Sequence, residues 1–386
     1  MRVLLAFDKF KEALTAHAAC EVAARALRDK HPDWEFDLCP LSDGGDGFEE
    51  VLSSTVEGKY FPVEVTGPRG GHVEAGFTLV SESQIPAAVR AQLTFAAQSE
   101  AASSLAVIEM ATASGLALLT PSQRSPWQTT SRGTGQLIKA AAEQGARAIL
   151  LGIGGSATHD LGLGALSALG LEFRNASGSA IRPPVPAHWD QIVTIDGALS
   201  PTIPPIHIAC DVSNPLLGPS GAATVFAPQK GLHADELPAL EAASERMAQL
   251  LCAHCHQPQT LPGTAGAGAA GGTAFGFICA ARARLLPGFA LVASWLNLDA
   301  RLAAADLVLT GEGRFDSSSL GGKGPGAIIT RALTARKRVH LFAGQIGSPT
   351  AHDLLTLHEI TPTDVPLERA LLDTPAFLSS ALQRAL

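Results

Sequence analysis

Short apolar runs that end in glycine and lead into alanine-rich stretches of helical period recur along this chain, and few folds admit that alternation. "RVLLAF" leads into "AHAACEVAARALRDKH", which stops at Pro32, and then into "EFDLCP", so the three read as one βαβ unit. "LAVIEM", "ARAILLGIGG" and "IHIACD" read as further buried strands. Beyond Gly288 the pattern resumes with "WLNLDARLAAA" as helix, "DLVLTG" as strand, "PGAIITRALTARK" as helix and "VHLFAG" as strand. The predicted class is α/β with mainly parallel sheets.

With 386 residues, 46% of them hydrophobic, the chain can bury a large core and is expected to form two domains. The text changes after Val80 to the alanine- and serine-rich "SESQIPAAVRAQLTFAAQSEAASS", and the same βα grammar flanks this middle on both sides. That arrangement allows one domain to be inserted in another.

A net charge of −8 with no cluster of Lys and Arg leaves no footprint for nucleic acid, so the expected partner is a small molecule. "MRVLLAFDKF" offers too few apolar residues before Asp8 for a signal peptide or a membrane span, which predicts a cytoplasmic protein. Six cysteines dispersed over the chain do not form a disulfide framework.

Five loops follow strand-like runs and join glycine to acid, hydroxyl or amide side chains: "FDKFK", "LSDGGDGF", "GIGGSATHD", "CDVSNPLLG" and "TGEGRFD". Ligands of open α/β sheets sit beyond the carboxyl ends of strands, which makes these loops the candidate site. Gly154, Gly155 and Ser156 run from a strand toward a helical stretch and read either as a backbone cradle for an anion or as a tight turn. Asp43 and Asp46 suit a metal or an Asp-Gly turn, and Asp211 and Asn214 suit a ligand or an Asx turn before Pro215. Glu312, Arg314, Asp316 and Lys323 carry what transfer of a charged group needs, carboxylates for Mg²⁺ and cations for phosphate oxygens.

Other motifs point elsewhere. "GAGAAG" at Gly266 to Gly271 matches a dinucleotide fingerprint, which would make the chain an NAD-dependent oxidoreductase, but no strand precedes it and no acid follows at the right distance. "CAHCH" at Cys252 to His256 reads as a helix terminus, with haem or zinc attachment less well supported. No P-loop is present. A sugar-acid sensor without catalysis would need a basic helix, and none is evident.

In order, "DKFK", "SDGGDG", "TGPRG", "IEMATASGL", "TTSRGTGQLI", "GIGGSATHD", "ACDVSNPLLGPSGA", "APQKG", "PGTAGAGAAGG", "LTGEGRFD" and "GGKGP" resemble the bacterial glycerate kinase family over nearly the whole chain. The resemblance implies a Rossmann-like domain of residues 1–79 plus 288–386, a second α/β domain of residues 80–287 inserted in it, and an active site in the interdomain cleft. It implies phosphoryl transfer from ATP with Mg²⁺ to a hydroxyl of D-glycerate, with 2-phosphoglycerate favoured over 3-phosphoglycerate or a related hydroxy acid. Homodimerisation is left open.

On that footing Asp211 orients or deprotonates the hydroxyl, with Lys11, Asp43 and Arg314 also in the catalytic set. Asp8, Gly154, Gly155, Ser156, Asp160, Asn214 and Lys323 contact substrate or phosphate, and Glu312 and Asp316 hold Mg²⁺. The family commonly reads D-S-F-K-G where this chain has Asp8 to Glu12, and G-G-S-A-T-N-D-G where it has His159 and Leu161. It also often has G-Q-T at Ser317 to Ser319 and H-G-K at Gly321 to Lys323.

Overall fold

The computed structural model describes residues 1–96, 104–316, 319, 324–347 and 351–386. In chain order its strands are β1 Arg2–Phe7, β2 Glu35–Leu38, β3 Lys59–Thr66, β4 His72–Ser81, β5 Ser104–Glu109, β6 Ala148–Gly152, β7 Leu171–Arg174, β8 Thr194–Gly197, β9 Ile206–Ala209, β10 Arg284–Leu286, β11 Leu307–Phe315, β12 Arg338–Ile346 and β13 Leu355–Glu359. The chain divides into two compact units. One comprises Met1–Asp43, Glu50–Thr55 and Phe289–Leu386, and the other Gly44–Glu49 and Val56–Gly288.

The first unit holds a sheet of order β13-β12-β11-β1-β2 in which every pairing is parallel. Its central strands are buried because helices cover them, as a parallel sheet requires. The helix Ala16–Arg28 starts at Thr15, whose hydroxyl accepts from the Ala18 N–H at 3.2 Å. Small residues on that helix (Ala19, Cys20 and Ala23) let it pack against Val3, Leu5 and Phe7, beside Leu378 and Leu382 of the helix Leu367–Ala385.

The second unit holds a sheet of order β10-β9-β6-β5-β4-β3, with a separate hairpin of β7 and β8. From β5 to β10 the pairings are parallel, whereas β3, β4 and β5 are antiparallel neighbours. The sequence reading grouped residues 1–79 together, yet β3 and β4 belong to this second sheet. "KYFPVEVT" shows the alternating burial of an edge strand and carries Pro62, which only an edge tolerates.

"WLNLDARLAAA" falls on two helices, Gly288–Trp295 and Leu298–Ala304, separated where Asn297 takes φ 51°. No helix among the described residues is long and apolar enough to cross a membrane. All six cysteines are free thiols.

Candidate active site

In the first unit Phe7, the last residue of β1, pairs in register with Gly311 of β11. The Asp8 N–H then donates to the Gly311 carbonyl at 3.0 Å, which brings Asp8 beside Glu312. β11 continues through Phe315, paired with β12 as far as Ile346, so "TGEGRF" is strand where the sequence suggested a loop. Its glycine serves packing: a Cβ on Gly311 would lie 2.1 Å from the Phe342 carbonyl and 3.0 Å from the Phe7 ring.

Burial pushes the Glu312 carboxyl up to about 7; a hydrogen bond with Ser319 opposes the rise, and repulsion from Asp8, Asp316 and Asp43 adds to it. Glu312 Oε1 is buried without a partner. This is a hard-oxygen donor set around one unsatisfied oxygen. Among the described residues no three His, Cys, Asp or Glu side chains form a complete protein cage for a metal. Mg²⁺ needs no such cage, since it is held through one or two carboxylates together with water and substrate phosphates, so these residues fit it.

Arg314, whose side chain is 67% exposed, pairs with Asp316 at 3.3 Å. Lys11 is exposed on the turn closed by the Phe10–Leu14 bridge, and Asp43 is half-buried at the end of the unit's first segment. Lys323 lies outside the described residues, as do Ser317 and Ser318.

In the second unit Glu109, Gly152 and Ala209 stand in register at the carboxyl ends of β5, β6 and β9. In the loop after β6, Gly154 does not offer its N–H to a ligand. The Gly154 N–H donates to the Gly44 carbonyl at 2.9 Å, and the next helix begins only at Leu163. Asp160 corrects the reading further, because it is wholly buried and out of a substrate's reach. It accepts from Ser131 N–H at 2.7 Å, Ser131 Oγ at 2.8 Å, and Gly162 and Gly164 N–H at 3.1 Å each. Burial raises its pKa and these bonds oppose the rise; through them the Asp160 carboxyl ties two helix starts together.

His159 is also wholly buried, its Nε2 3.1 Å from Ser244 Oγ, and burial pushes its imidazole down to about 3 with Lys230 adding to the effect. Asn214 donates its amide to the Ser220 carbonyl at 2.8 Å, so that donor braces its own loop and is not offered to a substrate. Asp211 stands half-buried just beyond β9, and Gly155 holds φ 72° beside Ser156.

The residue that sequence reasoning missed is Lys230. It is 2% exposed, and its Nζ donates to Ser156 Oγ at 2.9 Å and to the Thr158 carbonyl at 2.6 Å. Burial pulls the ammonium down to about 7 against the attraction of Asp160. The one available signal was a lysine in the stretch "AATVFAPQKGL", which holds no acid to pair with it.

The "GAGAAG" stretch is a packing device. Ala270, Gly271 and Gly272 have left-handed backbone inside the helix Ala269–Ala281, and a Cβ on Gly271 would lie 2.1 Å from the Thr158 carbonyl. No strand precedes it, which removes the dinucleotide reading. The helix Leu237–His254 ends inside "CAHCH", so that motif is a helix terminus.

Comparison with known proteins agrees with this architecture. Residues 3–386 match the model of the Glycerate kinase family. A glycerate kinase of Bacillus subtilis (strain 168) is 37% identical over 96% of this chain and 93% of its own length. A glycerate 2-kinase of Escherichia coli (strain K12) is 35% identical over 90% of this chain and 86% of its own. The crystal structure named for glycerate kinase 2 of Salmonella typhimurium LT2 superposes with a TM-score of 0.75 at 36% identity, covering 100% of this chain and 97% of that one. Likeness of this extent, in sequence and in fold, makes the chain a member of the glycerate kinase family and a kinase.

Proposed function

We propose that this kinase transfers the γ-phosphoryl group of ATP to a hydroxyl of D-glycerate with Mg²⁺, giving 2-phosphoglycerate and ADP. The observation that carries the reading is the buried, partnerless Oε1 of Glu312 with Asp8, Asp43 and Asp316 around it. A carboxylate so placed is stabilised by a cation from outside, and a kinase meets one with every nucleotide.

Glu312 and Asp316 are the residues that would hold Mg²⁺, which when bound neutralises charge on the phosphate oxygens during transfer. Arg314 is two-thirds exposed in its pair with Asp316. Such a pair is weak, so the guanidinium is free to exchange it for a bidentate grip on phosphate. Lys11 and Lys323 add cations on the phosphates, and Asp8 and Asp43 set the field that keeps Glu312 ready for a metal.

On the acceptor side Ser156 donates its hydroxyl to the glycerate carboxylate, with Gly155 holding the turn that presents it. Asp211, just beyond β9, orients or deprotonates the reacting hydroxyl. The name glycerate 2-kinase borne by the Escherichia coli relative favours the 2-hydroxyl. The test is incubation with Mg-ATP and D-glycerate followed by phosphorus NMR. Phosphate on C2 is the expected result, and phosphate on C3 would move the product to 3-phosphoglycerate. Failure to form ADP would sink the kinase reading.

A further inference from the structure

The kinase reading gives a single hydroxyl, that of Ser156, the task of holding a carboxylate, and the source of its strength lies one residue deeper. We infer that Lys230 is a positioning residue that turns the Ser156 hydroxyl outward and makes the acceptor site selective for an acid; this rests on the kinase reading above.

An ammonium has three N–H groups and no lone pair, so it only donates. Lys230 Nζ donates to Ser156 Oγ at 2.9 Å and to the Thr158 carbonyl at 2.6 Å. Ser156 Oγ thus accepts from a cation and keeps its own proton for another acceptor. Among the described residues no acceptor for that proton is found. Ser156 retains 8% exposure, whereas Lys230 retains 2%, so the serine is the part of the pair that a ligand touches.

The titratable groups beside Lys230 leave its charge to this relay. Asp160 attracts it, yet the four hydrogen bonds to Asp160 come from Ser131, Gly162 and Gly164, and no carboxylate lies within 4.0 Å of Nζ among the described residues. His159 is buried and neutral, which adds no competing cation. The anion that completes the arrangement comes from outside, through a charge-assisted donor, and a carboxylate answers it where a neutral polyol does not.

Deprotonation reverses the geometry. A neutral amine has a lone pair, accepts the Ser156 O–H, and draws the hydroxyl inward. With the ammonium held near 7 by burial, recruitment of the acid is strong below that pH and fades above it.

The test measures steady-state kinetics of the wild type, Lys230→Met, Ser156→Ala and the double variant between pH 6 and 9. In the wild type, KM for D-glycerate should rise as pH passes 7. Lys230→Met should raise that KM by about tenfold or more at pH 6.5, the worth of one charge-assisted hydrogen bond. It should also flatten the pH dependence, leave KM for ATP unchanged and alter kcat much less. Ser156→Ala should reproduce the effect, and the double variant should be no worse than either single one, since the two act as one unit.

A wild-type KM that is flat from pH 6 to 9, or additive losses in the double variant, would overturn the role of Lys230 while leaving the kinase reading intact. Should Lys230→Met fail to fold, the wild-type profile and Ser156→Ala decide the matter. Absence of ADP formation by the wild type would remove the kinase reading and this inference together.

Discussion

Replacing Lys230 by methionine is expected to stabilise the fold at pH 6 and to destabilise it at pH 10. The unfolded chain keeps this proton up to the ordinary 10.5, whereas burial lets the folded chain keep it only to about 7. Between those values the unfolded state binds more protons, so stability rises with pH. The contribution of the neutral lysine is therefore fully present above 10.5 and is lost as pH falls through 7. At about 1.4 kcal/mol per tenfold the swing is about 5 kcal/mol, a ceiling because the protein relaxes around a buried charge. Methionine removes that cost along with the bonds to Ser156 and Thr158, about 1 kcal/mol each. The expected net effect is a gain of about 3 kcal/mol at pH 6 and a loss of about 1 kcal/mol at pH 10, where the half unit below 10.5 still costs about 0.7 kcal/mol. Urea unfolding of both proteins, followed by tryptophan fluorescence at one-unit pH steps with the slope checked for constancy, reads this directly. Parallel curves from pH 6 to 10 would refute the claim that Lys230 carries a desolvated charge.

Asp211→Asn should lower kcat by about a hundredfold with little change in KM if Asp211 acts mainly in the transition state, and an unchanged kcat in initial-rate assays would remove it from the mechanism. Glu312 sits near 7 by burial, so below that pH a metal must displace its proton, and apparent affinity for Mg²⁺ with ADP should fall by about tenfold per pH unit. Calorimetric titration should show that dependence lost in Glu312→Gln, and an equal slope in both proteins would exclude Glu312 as the ligand. Glu12, exposed at φ 63°, should gain about 0.5 kcal/mol on replacement by glycine, the relief of left-handed strain less the added backbone entropy. A lower unfolding midpoint for Glu12→Gly would mean that this strain is absent.

The βα alternation was legible because buried parallel strands are apolar throughout, and β1, β5, β6, β9 and β11 all carry the runs from which they were read. β3 and β4 escaped, since their half-exposed alternation is a weaker signal than a continuous apolar run. The charged strand end at Glu312 was legible as chemistry and misread as structure. Its glycine looks like loop punctuation, while the need for it comes from Phe7 and Phe342 on neighbouring strands. Asp160 was misjudged and Lys230 passed over for a related reason. An aspartate after a glycine-rich turn reads as a ligand and a lysine before glycine reads as surface, and only burial distinguishes them.

Positions 12 and 161 hold a backbone suited to glycine with other residues on it. The family resemblance leads one to expect glycine at both, and here Glu12 and Leu161 take φ 63° and 53°, the left-handed region that glycine enters freely. At position 12 the side chain is exposed and only backbone strain is at issue. At position 161 a whole leucine must be buried, and the room for it comes from Gly272 and Gly276. A Cβ on Gly272 would lie 3.1 Å from Leu161 Cγ, and one on Gly276 2.1 Å from the Leu161 carbonyl. Gly271 meanwhile presses on the Thr158 carbonyl, the acceptor that fixes Lys230. Gly271, the last glycine of the fingerprint-like stretch, and Gly272 and Gly276 beyond it thus act by absence of side chain, letting the Thr158–Leu161 segment lie against them. Through Thr158 they set where the lysine can stand, and through the lysine, which way Ser156 points.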